Sequence, residues 1–372
     1  MTEKARLPGL TGVTAGQTRI SAVSQDSLSY RGYLIEELAE AVCFEEVAHL
    51  LIYGELPTRR ELALLRDMLM EYRRLPQPVL DTLRTIPTDI SMMDVLRTTV
   101  SFAGHYDPVR GDTIDDQRRR SIWLLSTIAS LIGARHRFAN HQPIVDPQPG
   151  LSHAAQILFQ CHGKEPDAQT ERLVDYTLVL CAEHDFSTST FAARVIGSTG
   201  ADMLSAVVGA IGALNGPLHG CASEQAMEML SRFSSPEEAA AFIHQAFEKR
   251  ERIYGFGHGI YKKGDHRARL LERQLRTLAE RTGRQKWLKI YDAVKKPMIE
   301  ERGIHPNVEY PCGLTYHLLG IPKDLYTPLC VASRVVGWCA HFIEQVQEGR
   351  IYRPRSEYVG EPIRPVPPME TR

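Results

Sequence analysis

Apolar positions along the chain recur mostly with a helical period. In residues 201–214, Met203, Leu204, Val207, Val208, Ile211 and Leu214 fall on one broad face. Asn215-Gly216-Pro217 follows, with residues that tolerate a left-handed backbone or stop a helix, so the pattern predicts a buried helix ending there. Ser235-Pro236-Glu237-Glu238 reads as a capping box with proline at the first helical position, and Phe242, Ile243, Ala246 and Phe247 continue it at helical spacing. Near the end of the chain, Val335, Trp338, Cys339, Phe342, Ile343 and Val346 form another apolar stripe, closed by Gly349. Period-two alternation is rare. It is clearest in residues 18–30, where alternation on both sides of Gln25-Asp26-Ser27 predicts one short hairpin. Two proline-rich stretches interrupt the pattern: residues 143–150, expected to be a surface loop, and the tail from 353 to 372, expected to be extended and free to lie across another subunit. The predicted class is all-α, where sites form between helices or between lobes.

Composition narrows the picture. The chain has 372 residues, 43% hydrophobic and 24% charged, enough for a full core plus a second lobe, which excludes a disordered or fibrous protein. Lys and Arg number 44 against 45 Asp and Glu, so no global field draws the chain to nucleic acid or an anionic membrane. An anionic ligand must be held by a local basic cluster. The N-terminus has no apolar leader, and the longest apolar stretch, Met203–Leu214, is too short to span a bilayer; a cytoplasmic protein is expected. Seven cysteines, an odd number without a C-x-x-C pair, predict reduced thiols rather than a disulfide framework or a structural zinc site.

Three segments place histidine or carboxylate beside glycine, where a polar side chain can approach a ligand with little steric cover. They are Gly216-Pro-Leu-His219-Gly-Cys-Ala-Ser223, Gly255-Phe-Gly-His258 continuing through Lys262, Lys263 and Arg267, and His305-Pro-Asn307-Val-Glu309 through Gly313. Each reads as a connection between helices. His219 precedes a helix start marked by Ser223 and Glu224, whose positive dipole end disfavours imidazolium and leaves a neutral hydrogen-bond donor. The basic residues after His258 suit phosphate or carboxylate, though the spacing is not that of a nucleotide phosphate loop. Glu309 is a candidate general base. Arg334, with Arg350, Arg353 and Arg355 beyond the last helix, fits a dicarboxylate ligand. His184 lacks a second ligand at metal spacing, so no metal is expected.

Taken in order, these segments resemble the citrate synthase family over nearly the whole chain. Ser29-Tyr-Arg-Gly-Tyr33, Phe44-Glu-Glu-Val-Ala48, Gly54-Glu-Leu-Pro57 and Met93-Asp-Val-Leu-Arg97 match its opening pattern. Ala182-Glu-His-Asp185 with Ser189-Thr-Phe-Ala-Ala-Arg194, Pro306-Asn-Val308, Ser333-Arg-Val-Val-Gly337 and Arg353-Pro-Arg355 carry the likeness onward. The resemblance implies a homodimer whose large domain, residues 1–222 and 326–372, carries an inserted small domain, residues 223–325, that closes over the substrates.

It further implies condensation of acetyl-CoA with oxaloacetate and hydrolysis of the thioester. Propionyl-CoA is the alternative donor, and a weakly active or non-catalytic paralogue that binds oxaloacetate or CoA is the alternative of another class. Carried over by motif position, Glu309 is the base, His219 the donor to the enolate, and His258 the group that polarises the ketone. His184, Arg267, Arg334 and, from the partner subunit, Arg353 hold the oxaloacetate carboxylates. Lys262 and Asn307 fall near the CoA, a substrate rather than a cofactor. Glu309 stands where the family usually has Asp, Cys221 where it has Gly, and Ser223 where it has Asn.

Overall fold

The computed structural model describes Leu10, residues 12–220 and residues 222–371. A small antiparallel sheet comes first: β1 (Ser21–Val23), β2 (Leu28–Tyr30) and β3 (Tyr33–Leu34), in that order. The predicted hairpin is present, pairing Ser21 with Tyr30 and Val23 with Leu28. The third strand was not anticipated. Arg31 and Gly32, at φ 49° and 92°, turn the chain straight back into β3, which at two residues is too short to show alternation.

Helices make up the rest of the long elements. The first ten are α1 (Ile35–Ala41), α2 (Phe44–Tyr53), α3 (Arg59–Tyr72), α4 (Gln77–Thr85), α5 (Met92–Ala103), α6 (Ile114–Ala139), α7 (His153–His162), α8 (Ala168–Cys181), α9 (Thr188–Gly197) and α10 (Met203–Leu214). The remainder are α11 (Ala222–Leu230), α12 (Pro236–Lys249), α13 (His266–Arg281), α14 (Gln285–Arg302), α15 (Glu309–Leu318) and α16 (Tyr326–Glu348). The fold is therefore all-α, as the periodicity predicts.

The two longest helices, α6 and α16, pack on each other, and α16 also meets α2, α8, α9 and α10. In residues 326–343 every side chain is buried except the half-buried Cys330. The expected stripe on α16 is thus a helix covered on all sides over this span; Val346, assigned to the stripe, lies beyond it and is exposed. The helix then stops at Gly349 in the left-handed conformation. Helix α10 runs over the predicted residues. The Ser235 hydroxyl caps α12 by accepting from the Glu238 amide, but the Glu238 carboxylate turns to the amide of Ser234, one residue before the position a capping box requires. Helices α11 to α15 pack largely among themselves, α12 on α14 and both α11 and α13 on α15. Residues 143–148 and 351–359 contain neither helix nor strand, in line with the proline-rich reading. No described helix is long and apolar enough to cross a membrane.

Candidate active site

Each functional side chain is aimed by a local device. After α10, the amides of His219 and Gly220 both bond to the Gly216 carbonyl at 2.9 Å, a turn so tight that any side chain on Gly220 would strike the Leu214 carbonyl. The turn drives the His219 ring against the first turn of α9. There the Ser189 amide donates to His219 Nε2 at 3.1 Å, and the Ser189 hydroxyl lies at 2.9 Å. A backbone N–H can only donate, so Nε2 is an acceptor and the proton of the neutral ring sits on Nδ1. One of the unsatisfied amides of the α9 N-terminus thus fixes the tautomer.

The same logic fixes His258. Its Nδ1 accepts from the amides of Ile260 at 3.0 Å and Tyr261 at 3.2 Å, so Nε2 carries the proton. The loop that bears it is zipped to the strand-like segment before α15. Gly257 donates to the His305 carbonyl, Asn307 donates to the Gly255 carbonyl, and Phe256 bridges Pro306. Gly255 sits at φ 84° with Tyr310 packed where a side chain would project, so only glycine fits. The Asn307 amide clamps both edges, Nδ2 donating to the Gly257 carbonyl and Oδ1 accepting from the Glu309 amide.

Arg267 and Arg334 are both buried and both anchored. Arg267 makes a bidentate pair with Asp265, Nε at 3.1 Å and Nη2 at 2.8 Å, while Asp265 also accepts from the Val308 amide. Arg334 Nε donates to the Cys181 carbonyl. His184 Nε2 lies 3.1 Å from the Tyr261 hydroxyl, with its ring edge on His258. Asp185, at φ 52° with its amide on the Ser21 hydroxyl, makes the bend beside it. Behind these groups the buried Glu183 carboxylate accepts from Ser21 and His341, and His341 is in turn held by Arg194.

His184, His219, His258, Arg267, Asn307, Glu309 and Arg334 all line one cleft of about 700 Å³. Burial, with Arg334 nearby, lowers the His219 pKa to about 4. Burial and the Arg267 charge do the same for His258, also to about 4, and push His184 well below its ordinary value. Three neutral imidazoles therefore face the cleft at neutral pH. Burial raises the Glu309 carboxyl above its ordinary value, while Arg267, Arg334 and a hydrogen bond from Ser223 pull it partly back. The cleft thus gathers two buried guanidinium groups, a carboxyl held above its ordinary pKa and two neutral imidazoles each with one N–H to donate.

A family described as citrate synthase, C-terminal domain, matches residues 9–355. The chain belongs to the citrate synthase family. It is 40% identical to 2-methylcitrate synthase 2 of Corynebacterium glutamicum over 98% of this chain and 97% of that protein, and 35% identical to citrate synthase 2 of Bacillus subtilis over 98% of each. Its fold matches the crystal structure of citrate synthase from Thermotoga maritima, with TM-score 0.89, 34% identity, and coverage of 98% of this chain and 99% of that one. It also matches the Thermoplasma acidophilum citrate synthase in ternary complex with carboxymethyl coenzyme A and oxaloacetate, with TM-score 0.92, 29% identity and 98% of each chain covered. Membership makes the protein a citrate synthase-type acyltransferase.

Of the residues assigned from the family pattern, Lys262 and Arg353, the latter assigned to the partner subunit's site, do not line this cleft. Lys262 is exposed, its ammonium on the His258 carbonyl at 3.0 Å, and does not line the cleft. Arg353 is exposed on the tail, with its guanidinium on the Pro354 carbonyl. Cys221 lies outside the described residues. Glu309 opens α15 rather than lying in the connection before it. Helix α11 begins at Ala222, and the amide that meets His219 comes from α9. Ser223 serves the Glu309 carboxyl, while Glu224 reaches across to accept from the amide and hydroxyl of Thr327. Asp265, Tyr261 and Ser189 were not anticipated. Asp265 two residues before Arg267 was the available signal; Tyr261 and Ser189 meet His184 and His219, which are distant in sequence. Among the described residues no group of three or more His, Cys, Asp or Glu is arranged to hold a metal.

Proposed function

We propose that the protein condenses acetyl-CoA with oxaloacetate and hydrolyses the resulting thioester to citrate and CoA. The observation that carries this reading is the convergence of Glu309, His219 and His258 on one cleft above Arg267 and Arg334. Oxaloacetate brings two negative charges into a buried space, which is tolerable only against paired cations and donors; Arg267, Arg334 and His184 supply them. The Nε2 proton of His258 is free to bond the ketone oxygen and make its carbon electrophilic. Glu309 takes a proton from the carbon next to the thioester carbonyl, and the Nδ1 proton of His219 bonds the enolate oxygen as charge develops there. One such donor is commonly worth about 3–4 kcal/mol. Because His219 is neutral, it donates without surrendering its proton. The enolate carbon then attacks the ketone, and water cleaves the citryl thioester.

Residues 223–325, holding α12 to α15 and all of α11 but its first residue, act as the small domain, and residues 1–222 with 326–372 form the large one. The division is supported by the way α11 to α15 pack on one another. Closure of the small domain excludes water before the enolate forms. The working form is a homodimer in which Arg353 completes the partner's oxaloacetate site; an exposed guanidinium on the tail, absent from the lining of its own cleft, supports this. Arg353→Ala then raises the KM for oxaloacetate about tenfold or more, and an unchanged KM removes the inter-subunit contact. CoA enters as a substrate, near Asn307 and Lys262.

The test is release of free CoA thiol by purified protein given oxaloacetate and acetyl-CoA. Turnover is expected, and none with any acyl donor would overturn the reading. Propionyl-CoA is a second donor to assay, because relatives at 39–40% identity are named 2-methylcitrate synthases. One methylene changes binding by only about 1–3 kcal/mol, so the ratio of kcat/KM values decides between donors.

A further inference from the structure

Tyr261 stands at the centre of an aromatic cluster behind the cleft. It is 2% exposed, lies in the connection between α12 and α13, and does not itself line the cleft. Each of its parts meets a histidine that does. Its amide donates to His258 Nδ1 at 3.2 Å, and its ring stacks on the His258 imidazole with centroids 4.5 Å apart and planes 28° apart. Its hydroxyl lies 3.1 Å from Nε2 of His184, 77 positions away in the chain, and the two rings meet edge to face at 5.5 Å. His184 and His258 in turn meet each other edge to face at 5.1 Å.

The cluster is backed by the turn between β1 and β2. The His266 ring packs edge to face on Tyr261 at 5.6 Å, and His266 Nε2 lies 3.2 Å from the Gln25 carbonyl. The Lys262 amide donates to Gln25 Oε1 at 2.7 Å. The residue after Tyr261 and the first residue of α13 are thus both pinned to the same turn. An imidazole rotates about two side-chain torsions unless a second contact fixes its ring, and a ring nitrogen withdrawn from water is costly to leave unpaired. Tyr261 supplies His184 with both a partner for Nε2 and an aromatic wall. For His258 it supplies the stack, since the amide of residue 261 is present whatever side chain stands there. Burial pushes the Tyr261 phenol above its ordinary value, so the hydroxyl keeps its proton.

We propose that Tyr261 is a positioning residue that aligns His184 and His258 with each other, its hydroxyl setting the histidine that holds a carboxylate and its ring the histidine that polarises the ketone. Those two roles rest on the condensation reading; the alignment of the rings does not. In the proposed division of the chain His184 belongs to the large domain and Tyr261 to the small one, so the hydroxyl contact also ties one domain to the other.

The test is a pair of substitutions in the full-length protein, followed by thiol-release kinetics and thermal melting. Tyr261→Phe keeps the ring and removes one oxygen. The KM for oxaloacetate rises by about three- to tenfold, with kcat and the KM for the acyl-CoA within about twofold of the parent. Tyr261→Leu loses the stack as well, and kcat falls by about tenfold or more, which the phenylalanine variant recovers. The proposal is overturned if the oxaloacetate KM of Tyr261→Phe rises less than about threefold. It is also overturned if kcat, both KM values and the melting temperature of that variant all shift together, as loosening of the whole fold would have it. Should the leucine variant not fold, Tyr261→Phe alone decides. Histidine ring-nitrogen NMR, assigned with His184→Asn protein, gives a readout free of turnover. In Tyr261→Phe the His184 signals shift, while His258 keeps the pattern of a ring protonated at Nε2. Shifted His184 signals in a protein that releases no CoA would keep the alignment and sink the condensation reading; steady turnover with unshifted signals would do the reverse.

Discussion

The two sides of the cleft are built differently. On the carboxylate side, His184, Arg267 and Arg334 are 7%, 4% and 6% exposed, and each is tied by at least one protein hydrogen bond. On the opposite rim, Leu218 is 84% exposed and Ile260 41% exposed, beside an exposed Gly259. Burying a guanidinium costs several kcal/mol unless partners are in place beforehand, so the side that receives a dianion must be rigid before the ligand arrives. A side that receives a thioester, as the proposed function has it, handles mostly apolar and amide groups and carries no such requirement. The anchored charges of the cleft thus lie buried on one side, and exposed apolar groups lie at its rim.

Four experiments break or sharpen this contrast. Glu309→Gln has the largest effect, lowering kcat by about 10²–10⁴-fold, the usual range for a positioned base, with oxaloacetate affinity within about threefold of the parent. Calorimetry beside the thiol-release assay checks it, and a parallel fall in affinity would mean that the two sides are one unit. Arg267→Ala comes next. It leaves the Asp265 carboxylate buried without its cation, so a stability loss of about 3–5 kcal/mol in denaturant unfolding is expected, along with loss of oxaloacetate binding. Arg267→Lys, which restores charge but not the bidentate fork, should recover stability better than affinity.

The third experiment is the pH profile of kcat/KM, which reports groups on the free enzyme. Glu309 must be ionised to act, and its pKa is raised, so activity falls on acidification first as that carboxyl takes up its proton. His219 and His258 act as neutral rings and protonate at about 4, so a second, steeper limb is expected near pH 4. A single limb at the ordinary histidine value near 6.5 would contradict the neutral imidazoles. The smallest effects belong to the acyl side. Asn307→Ala releases the clamp between two loops and should raise the KM for the acyl-CoA by about tenfold with oxaloacetate affinity unchanged; Lys262→Ala should change it by about threefold or less. Steady-state titration of each substrate separates these outcomes.

Much of this site was legible in one dimension because its catalytic groups sit in short motifs. Glycine beside histidine at 219 and 258, and proline and glycine around Glu309, mark places where the backbone must turn sharply, and that requirement is local. The residues that tune those groups were not legible. Ser189 meets His219 from 30 positions away, and Ser223 meets Glu309 across the gap between two helices. Such partners are ordinary serines in ordinary helices until the chain folds.

By itself the amino-acid order determined the helical class, the C-terminal end of α10, a hairpin within residues 18–30 and the residue types of the three glycine-flanked segments, because periodicity and turn propensity act over a few residues. Only the tertiary structure decided which nitrogen of His219 and of His258 bears the proton and which arginines are buried against a partner. Those outcomes depend on hydrogen bonds and electric fields between groups far apart in the chain, and such interactions exist only once the helices have packed.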